Sequence, residues 1–203
     1  YMTNRPGATY IGSPFVTLPD SVYLRYGHRI FRLDPATSET LGEFPLPGRA
    51  AVELYGEDAP EWGHIKVQGD YLIATAEPHV FEDQQLGSEA SYSGTSSKLL
   101  AVLNRFTGEP VWTLEAQTGF RHNAIIAADD TVFLIDGLSE LAIDFLARRG
   151  QAPEAPSRIL ALDIATGDER WHSDSSVFGV FLLYCREHDL LIEGGSRDLR
   201  RPM

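Results

Sequence analysis

The sequence predicts an all-β fold built from repeated four-stranded units, and three observations support this prediction. Short segments of alternating apolar residues recur along the chain, which is typical of strands with one buried face. Turn-forming residues separate these segments. One phrase is nearly duplicated, as AVLNRFTGEPVW at 101–112 and ALDIATGDERW at 161–171. The chain is therefore expected to repeat one supersecondary unit.

The duplicated phrase has a third, degenerate copy earlier in the chain, and each copy is predicted to be a strand, a turn and a returning strand. The three copies are RIFRLDPATSETLGEF (29–44), KLLAVLNRFTGEPVWTL (98–114) and RILALDIATGDERWHSD (158–174). An Asx and a Thr side chain in each turn are expected to bond nearby backbone amides, and a glycine to take a positive φ. The aligned residues are Asp34 and Thr37, then Asn104, Thr107, Gly108 and Trp112, and finally Asp163, Thr166, Gly167 and Trp171.

These aligned residues are interpreted as architecture rather than chemistry. They close the turns, and the tryptophans are expected to fill the gaps between neighbouring units. The first copy departs from the pattern, because Ser38 replaces the glycine and Gly42 stands in the place of the tryptophan. Phe44 is the residue expected to fill that space instead.

Two more strand-like segments precede each turn. They are FVTL (15–18) and VYLRY (22–26), GHIKVQ (63–68) and YLIATA (71–76), and NAIIA (123–127) and TVFLID (131–136). A fourth set starts with VFGVFLLYC (177–185), interpreted as a buried strand, and continues with LLIEGG (190–195). Antiparallel four-stranded units with a tryptophan at a fixed place are the signature of β-propeller blades.

We therefore predict a partial β-propeller of about three and a half four-stranded antiparallel blades, with one short helical insertion. It spans residues 1–203 as one segment. The blades are placed at about 13–56, 60–118, 120–175 and 176–203, the last being incomplete.

Two insertions are predicted between the second and third strands of two blades. The insertion at 77–97 is polar and rich in Gly and Ser, so it is predicted to be a surface loop. The insertion at 137–156 has apolar residues at helical spacing, which predicts an amphipathic helix. Ser139 is the expected N-cap of this helix, and Gly150 follows its last turn.

Composition excludes several classes of function. A net charge of −12, spread evenly along the chain, makes nucleic acid a poor partner. No apolar run approaches the roughly 20 residues that span a bilayer. Cys185 is the single cysteine and is expected to be buried and inert, so an intrachain disulfide is excluded. The acidic clusters EDAPEW (57–62) and FEDQQ (81–85) are interpreted as solvated surface rather than calcium loops.

Four residues are candidates for lining a ligand channel. Arg121 and His122 stand where the innermost strand of a blade is predicted to begin, and Trp62 and His64 stand at the matching place one blade earlier. Propellers bind ligands in the central channel that these strands surround. The alternative is that one member of the first pair closes a hydrogen bond between adjacent blades. No catalytic constellation and no metal-ligand spacing is found among the histidines.

The segments LLAVLNRFTGEPVW and ILALDIATGDERW resemble the repeat of the PQQ-like propeller family, also called quinoprotein alcohol dehydrogenase-like. That repeat places Ala-Leu-Asp, then Thr-Gly, then Trp at this spacing. The segments GDYLIATAEP, GFRHNAIIA and VFGVFLLYCREHDLLIEGG are similar to those of uncharacterised bacterial PQQ-like repeat proteins. The resemblance covers roughly residues 13–195.

The resemblance implies further blades and a location in the bacterial cell envelope or periplasm. It also raises pyrroloquinoline quinone (PQQ) and Ca²⁺ as cofactors, although the residues themselves indicate none. The dehydrogenases of the family carry an adjacent pair of cysteines over the quinone, and this chain has Cys185 alone. No acidic residue here matches their catalytic aspartate by a motif.

Two functions follow as alternatives. The leading hypothesis is a non-catalytic binding or scaffold module within a larger protein or assembly. The other is part of a quinoprotein oxidoreductase whose active site is completed by blades outside this chain, with Arg121, His122, Trp62 or His64 contacting a quinone or metal. The expected partners are the remaining propeller blades, because open blades leave unpaired edges. Those blades are expected in a longer chain, in a complementary fragment or in a second copy.

Overall fold

The structure, a computed structural model, describes residues 14–46, 61–80 and 95–195. The described residues form antiparallel strands, one α-helix and one short 3₁₀ turn. The first four strands pair in sequence order as one sheet. They are β1 (Phe15–Thr17), β2 (Val22–Tyr26), β3 (Arg29–Leu33) and β4 (Thr40–Pro45).

The next four strands form a second antiparallel meander, and the third group repeats the pattern. The second meander is β5 (Trp62–Gln68), β6 (Tyr71–Val80), β7 (Thr95–Asn104) and β8 (Pro110–Arg121). The third is β9 (Ile126–Ala128), β10 (Thr131–Asp136), β11 (Arg158–Asp163) and β12 (Glu169–Ser173). One residue pair, Asp136 opposite Phe120, joins the two meanders into a single hydrogen-bonded sheet.

A two-stranded sheet completes the described part of the chain. It pairs β13 (Phe181–Cys185) with β14 (Leu190–Gly194). Three four-stranded meanders and one hairpin, each packed against the next, are the blades of a partial β-propeller that does not close. The predicted all-β partial propeller is thus confirmed.

The turn between the third and fourth strands has the same hydrogen bonds in all three copies. Oδ1 of Asp34, Asn104 or Asp163 accepts bonds from the amides two and three residues on, at 2.8–3.1 Å. The threonine Oγ1 accepts a further amide at 3.2–3.3 Å. The next residue has a positive φ in each case, at Ser38, Gly108 and Gly167.

An aromatic ring of one blade packs on the glycine of the next blade's turn. Trp112 covers Gly167, where a Cβ would lie 2.7 Å from the indole, and its Nε1 donates to the Ile164 carbonyl at 2.9 Å. Phe44 covers Gly108 in the same manner, with a Cβ placed 2.2 Å from the ring. Phe44 is buried, so it fills the space that the degenerate first copy leaves without a tryptophan.

The predicted helix is present as α1, Glu140–Arg148. The Ser139 hydroxyl caps its first turn by accepting the Ala142 amide at 3.2 Å. Ala142 and Phe145 are buried on its inner face, and Gly150 follows with a φ of 69°. No helix among the described residues is long and apolar enough to cross a bilayer.

The first insertion and the first strand of the third blade differ from the sequence-based expectations, and the two acidic clusters fall mostly outside the described residues. Strands β6 and β7 extend into the insertion at 77–97, while residues 81–94, including FEDQQ, lie outside the described residues. Most of EDAPEW lies outside them as well. The predicted strand at 123–127 instead begins as the 3₁₀ turn His122–Ala124, and β9 starts only at Ile126.

The last hairpin is far more exposed than expected. The sequence predicts a buried strand at 177–185, whereas β13 begins at Phe181, and Phe181 and Leu183 are 51% and 62% exposed. Cys185 is half-buried rather than buried. Trp171 is 43% exposed, so it fills no gap between blades within the described residues. Phe181 and Leu183 lie on the face of β13 opposite the buried Leu182, and no described segment packs against that face.

We predict that Gly108→Ala destabilises the protein by about 3 kcal/mol, which combines a positive-φ cost with a clash against the Phe44 ring. Gly69→Ala is the matched control, since Gly69 also has a positive φ but would place its Cβ in open space. The control is expected to cost about 1 kcal/mol. Urea unfolding measures both, and equal losses would contradict ring packing as the cause.

Candidate functional site

The sequence-predicted candidates gather at one face of the propeller, where β8 ends and the next blade begins. Trp62 and His64 lie at the start of β5, Arg121 ends β8, and His122 opens the 3₁₀ turn. The structure brings His64 and His122 together, with 5.9 Å between their ring centroids. The side chains of Trp62 and Arg121 are engaged elsewhere.

Trp62 belongs to the contact between the first and second blades. It is fully buried, and its Nε1 lies 3.3 Å from the Phe44 carbonyl that accepts its hydrogen bond. The backbone amide of Trp62 donates to Gly27, and its carbonyl accepts from Arg25 at 3.1 Å. Trp62 therefore holds the first sheet against the second.

Arg121 connects the second blade to the third and fourth. Its Nε donates to the Gly137 carbonyl at 2.8 Å, its Nη2 lies 3.5 Å from the Ser157 hydroxyl, and its Nη1 donates to the Gly179 carbonyl. Burial lowers the pKa of Arg121 to about 10, against the opposing effect of Glu193 and Asp136. The guanidinium thus stays charged at neutral pH while it bonds three segments from inside the protein.

His122 takes part in a buried network of hydroxyl groups. Its Nε2 lies 2.7 Å from Ser97 Oγ, which is 3.0 Å from Thr75 Oγ1. Thr75 Oγ1 also accepts the backbone amide of His64 at 2.7 Å. A Cβ on Gly63 would lie 2.6 Å from Thr75 Oγ1 and 2.7 Å from Ser97 Oγ, so the network needs glycine there.

Sequence reasoning missed the partners in this network. Ser97 lies in a segment that was predicted to be a polar loop, which gave no signal of burial. Thr75 stands in the apolar run YLIATA, and one hydroxyl in such a strand is a weak sign of a buried hydrogen bond. Which polar groups meet across strands depends on the register of β6 and β7, where Ala76 faces Leu99 and Pro78 faces Ser97.

His64 is held in its neutral form. Burial, followed by the nearby His122, Lys66 and Arg25, lowers the pKa of His64 from 6.5 to about 3. Its side chain is 7% exposed. A neutral imidazole in this position is a polar part of the core, with little access for a substrate.

Asp136 organises the segment that leads into Arg121 and His122, and the sequence analysis did not single it out. Its carboxylate accepts the amides of residues 117, 118 and 119 at 2.9–3.0 Å and lies 3.2 Å from Arg158 Nη2. The side chain is buried. An acidic residue at the end of the apolar strand TVFLID is a sequence sign of a buried carboxylate, and a buried carboxylate requires hydrogen-bond partners.

These residues do not fit the quinone and calcium that the family resemblance raised. No group of three or more His, Cys, Asp and Glu side chains in the described ranges is placed to hold a metal ion. The four candidate side chains are between 0% and 7% exposed, which leaves no surface for a planar quinone to contact. The hydrogen bonds of Arg121 go to two backbone carbonyls and a hydroxyl, so this guanidinium is not presented to an anionic cofactor.

Comparison with known proteins supports the fold and leaves the family open. No family model matches the chain, and no curated protein matches it. Among solved structures, the computationally designed protein Ika8 has a TM-score of 0.52 at 13% identity, over 89% of this chain and 42% of that one. At this identity the similarity concerns the fold alone.

Two other solved structures are similar at lower TM-scores. BamB from Moraxella catarrhalis has a TM-score of 0.44 at 17% identity, over 76% of this chain and 33% of its own. A europium-containing methanol dehydrogenase has 0.47 at 12% identity, over 79% and 24%. The chain thus spans well under half the length of each, and membership in the PQQ-like family stays a prediction.

We predict that His64 makes the protein less stable in mild acid. Its pKa is about 3 in the folded protein and near 6.5 when unfolded, so the unfolded chain binds the extra proton as the pH falls below 6.5. The contribution of His64 to stability is present above that pH and decreases by about 2 kcal/mol between pH 7 and pH 5. His64→Gln should remove this loss in urea unfolding, while His172→Gln, at an exposed site, should retain it.

We also predict that Asp136→Asn costs about 3 kcal/mol, because the new amide group would face backbone donors in a buried site. The exposed Asp144→Asn on α1 is the control and should be near neutral. Urea unfolding measures both changes. A loss below about 1 kcal/mol at Asp136 would mean that its hydrogen bonds contribute little.

Proposed function

We propose that this chain is a non-catalytic propeller segment that acts as a binding or scaffold module within a larger protein or assembly. The observation that carries the proposal is the burial of Trp62, His64, Arg121 and His122. The described hydrogen bonds of Trp62 and Arg121 hold blades together, and His122 bonds the turn that leads into the third blade to Ser97 of the second blade. The residues that the sequence marks as candidates for chemistry therefore stabilise the fold.

Two candidate surfaces for partners lie at the ends of the described segment. Exposed apolar side chains occur on β1 and β2 at one end and on β13 and β14 at the other. Large apolar groups at such positions are typical of surfaces that bury themselves against another unit. They are Phe15, Leu24 and Tyr26, and then Phe181, Leu183, Leu190 and Ile192. The remaining blades of a propeller are partners of the right kind, and the envelope location stays a prediction from resemblance.

Native mass spectrometry with PQQ and Ca²⁺, alone and together, tests this proposal. We expect no specific mass gain for the wild-type protein, because the candidate side chains are covered. The same measurement on His122→Ala and on the exposed His172→Ala provides the matched pair.

A stoichiometric gain for the quinone that His122→Ala removes and His172→Ala keeps would favour a quinoprotein oxidoreductase instead. A gain shared equally by all three proteins would indicate binding away from this face. In that case His122 does not bind the quinone. The scaffold proposal is then tested by measuring turnover of an alcohol with an artificial electron acceptor. Turnover above the rate of the free quinone would overturn it.

A further inference from the structure

Trp171 occupies the same place in its blade as Trp112 but lacks the contact that Trp112 makes. It lies on β12 with 43% of its surface exposed. Its ring rests against Phe133, with 6.0 Å between centroids, which supports one side of the indole. The other two copies show what belongs on the open side.

Each completed contact between blades has two parts. The first is an aromatic ring on the turn glycine, and the second is a donor to the carbonyl of the residue after the Asx. Trp112 provides both parts, to Gly167 and Ile164. In the first blade the parts are divided, because Phe44 covers Gly108 while the buried Tyr23 donates its hydroxyl to the Arg105 carbonyl at 2.9 Å.

The free edge of β14 indicates the same missing neighbour independently. In the second and third blades, the second strand pairs with a third strand that runs directly into the Asx turn, as β6 with β7 and β10 with β11. Within the described part of the chain β14 pairs with β13 alone. A single hairpin could therefore pair with the edge of β14 through its first strand and contact the Trp171 indole through its turn.

We propose that Trp171 and the edge of β14 together bind a two-stranded β-hairpin whose turn has the sequence Asx-x-x-Thr-Gly. The first strand of the hairpin pairs antiparallel with β14. The turn glycine lies under the indole, and the carbonyl after the Asx accepts the indole Nε1–H. This inference rests on the proposed function, for which it specifies the partner.

A second copy of this chain does not provide that hairpin. The complete Asx-x-x-Thr-Gly sequence occurs only at 104–108 and 163–167, and Phe44 and Trp112 already cover its two glycines. The remaining turn, in the first blade, has Ser38 at a φ of 63°. The Cβ of that serine occupies the position where the ring approaches Gly108 and Gly167. The partner is therefore a segment with its own turn glycine.

The test appends such a hairpin to the full 203-residue chain through a flexible Gly-Ser linker. The appended sequence is a copy of residues 158–174 with Phe in place of its tryptophan, so that it adds no indole fluorescence. Tethering raises its effective concentration at the site to the millimolar range. The matched control carries valine in place of the appended turn glycine, which a positive φ and the indole both exclude.

Two readouts follow the two parts of the site. Acrylamide quenching reports mainly Trp171, since Trp62 is buried and Trp112 is half-buried, and Trp171→Phe assigns the Trp171 share of the signal. Hydrogen exchange reports the amides of β14. With the glycine hairpin we expect the Trp171 share of the quenchable emission to disappear and β14 exchange to slow by at least about tenfold. The valine control should match the unmodified chain.

Equal protection by both hairpins, or by neither in a folded chain, would overturn the proposal. Protection of Trp171 in the unmodified chain that grows with protein concentration would identify a second copy as the occupant and would also overturn it. None of these readouts involves the His122 face. A failure here therefore leaves the scaffold proposal standing, and quinone binding at His122 would leave this result standing.

Discussion

The architecture depends on a close approach between an aromatic ring in one blade and a glycine in the next. At Gly108 and Gly167 a Cβ would lie within 2.2–2.7 Å of a ring, so the contact exists only with glycine. The Asx and Thr hydrogen bonds hold that glycine at a positive φ and fix the turn that presents it. Each blade is thereby completed by its neighbour, as in other repeat folds.

Polar contacts, rather than close ring packing, stabilise the face where the chain passes from one blade to the next. There the backbone leaves one sheet and enters another, so its polar groups need partners other than strand neighbours. Asp136 supplies acceptors for three successive amides, and Arg121 supplies donors to segments of the third and fourth blades. Removing one partner from such a buried pairing costs far more than the pairing itself contributes. This explains how charged and imidazole groups can be accommodated in a core.

The ring–glycine contact and the buried polar contacts explain why Arg121 and His122 suggest a ligand site in the sequence but have structural partners in the folded protein. The sequence predicts that Arg121 and His122 begin an inner strand, which is where a propeller could present a ligand site, whereas Arg121 ends β8 and His122 opens a 3₁₀ turn. In the folded protein the buried guanidinium donates to Gly137 and Gly179 of the following blades, and the imidazole contacts Ser97 of the second blade. Exposed apolar side chains occur instead on β1 and β2 and on β13 and β14, at the two ends of the described segment.

The sequence by itself determined the repeat, the strand order within each blade, the Asx turns and helix α1 with its Ser139 cap. These follow from local patterns, namely apolar alternation, turn residues and helical spacing, which act over a few residues. Only the tertiary structure decided that His64 meets His122, that Asp136 receives three amides and that Trp171 stays exposed. Those outcomes depend on strand register and on which blades are present to pack, and neither is encoded in the neighbouring residues of any one motif.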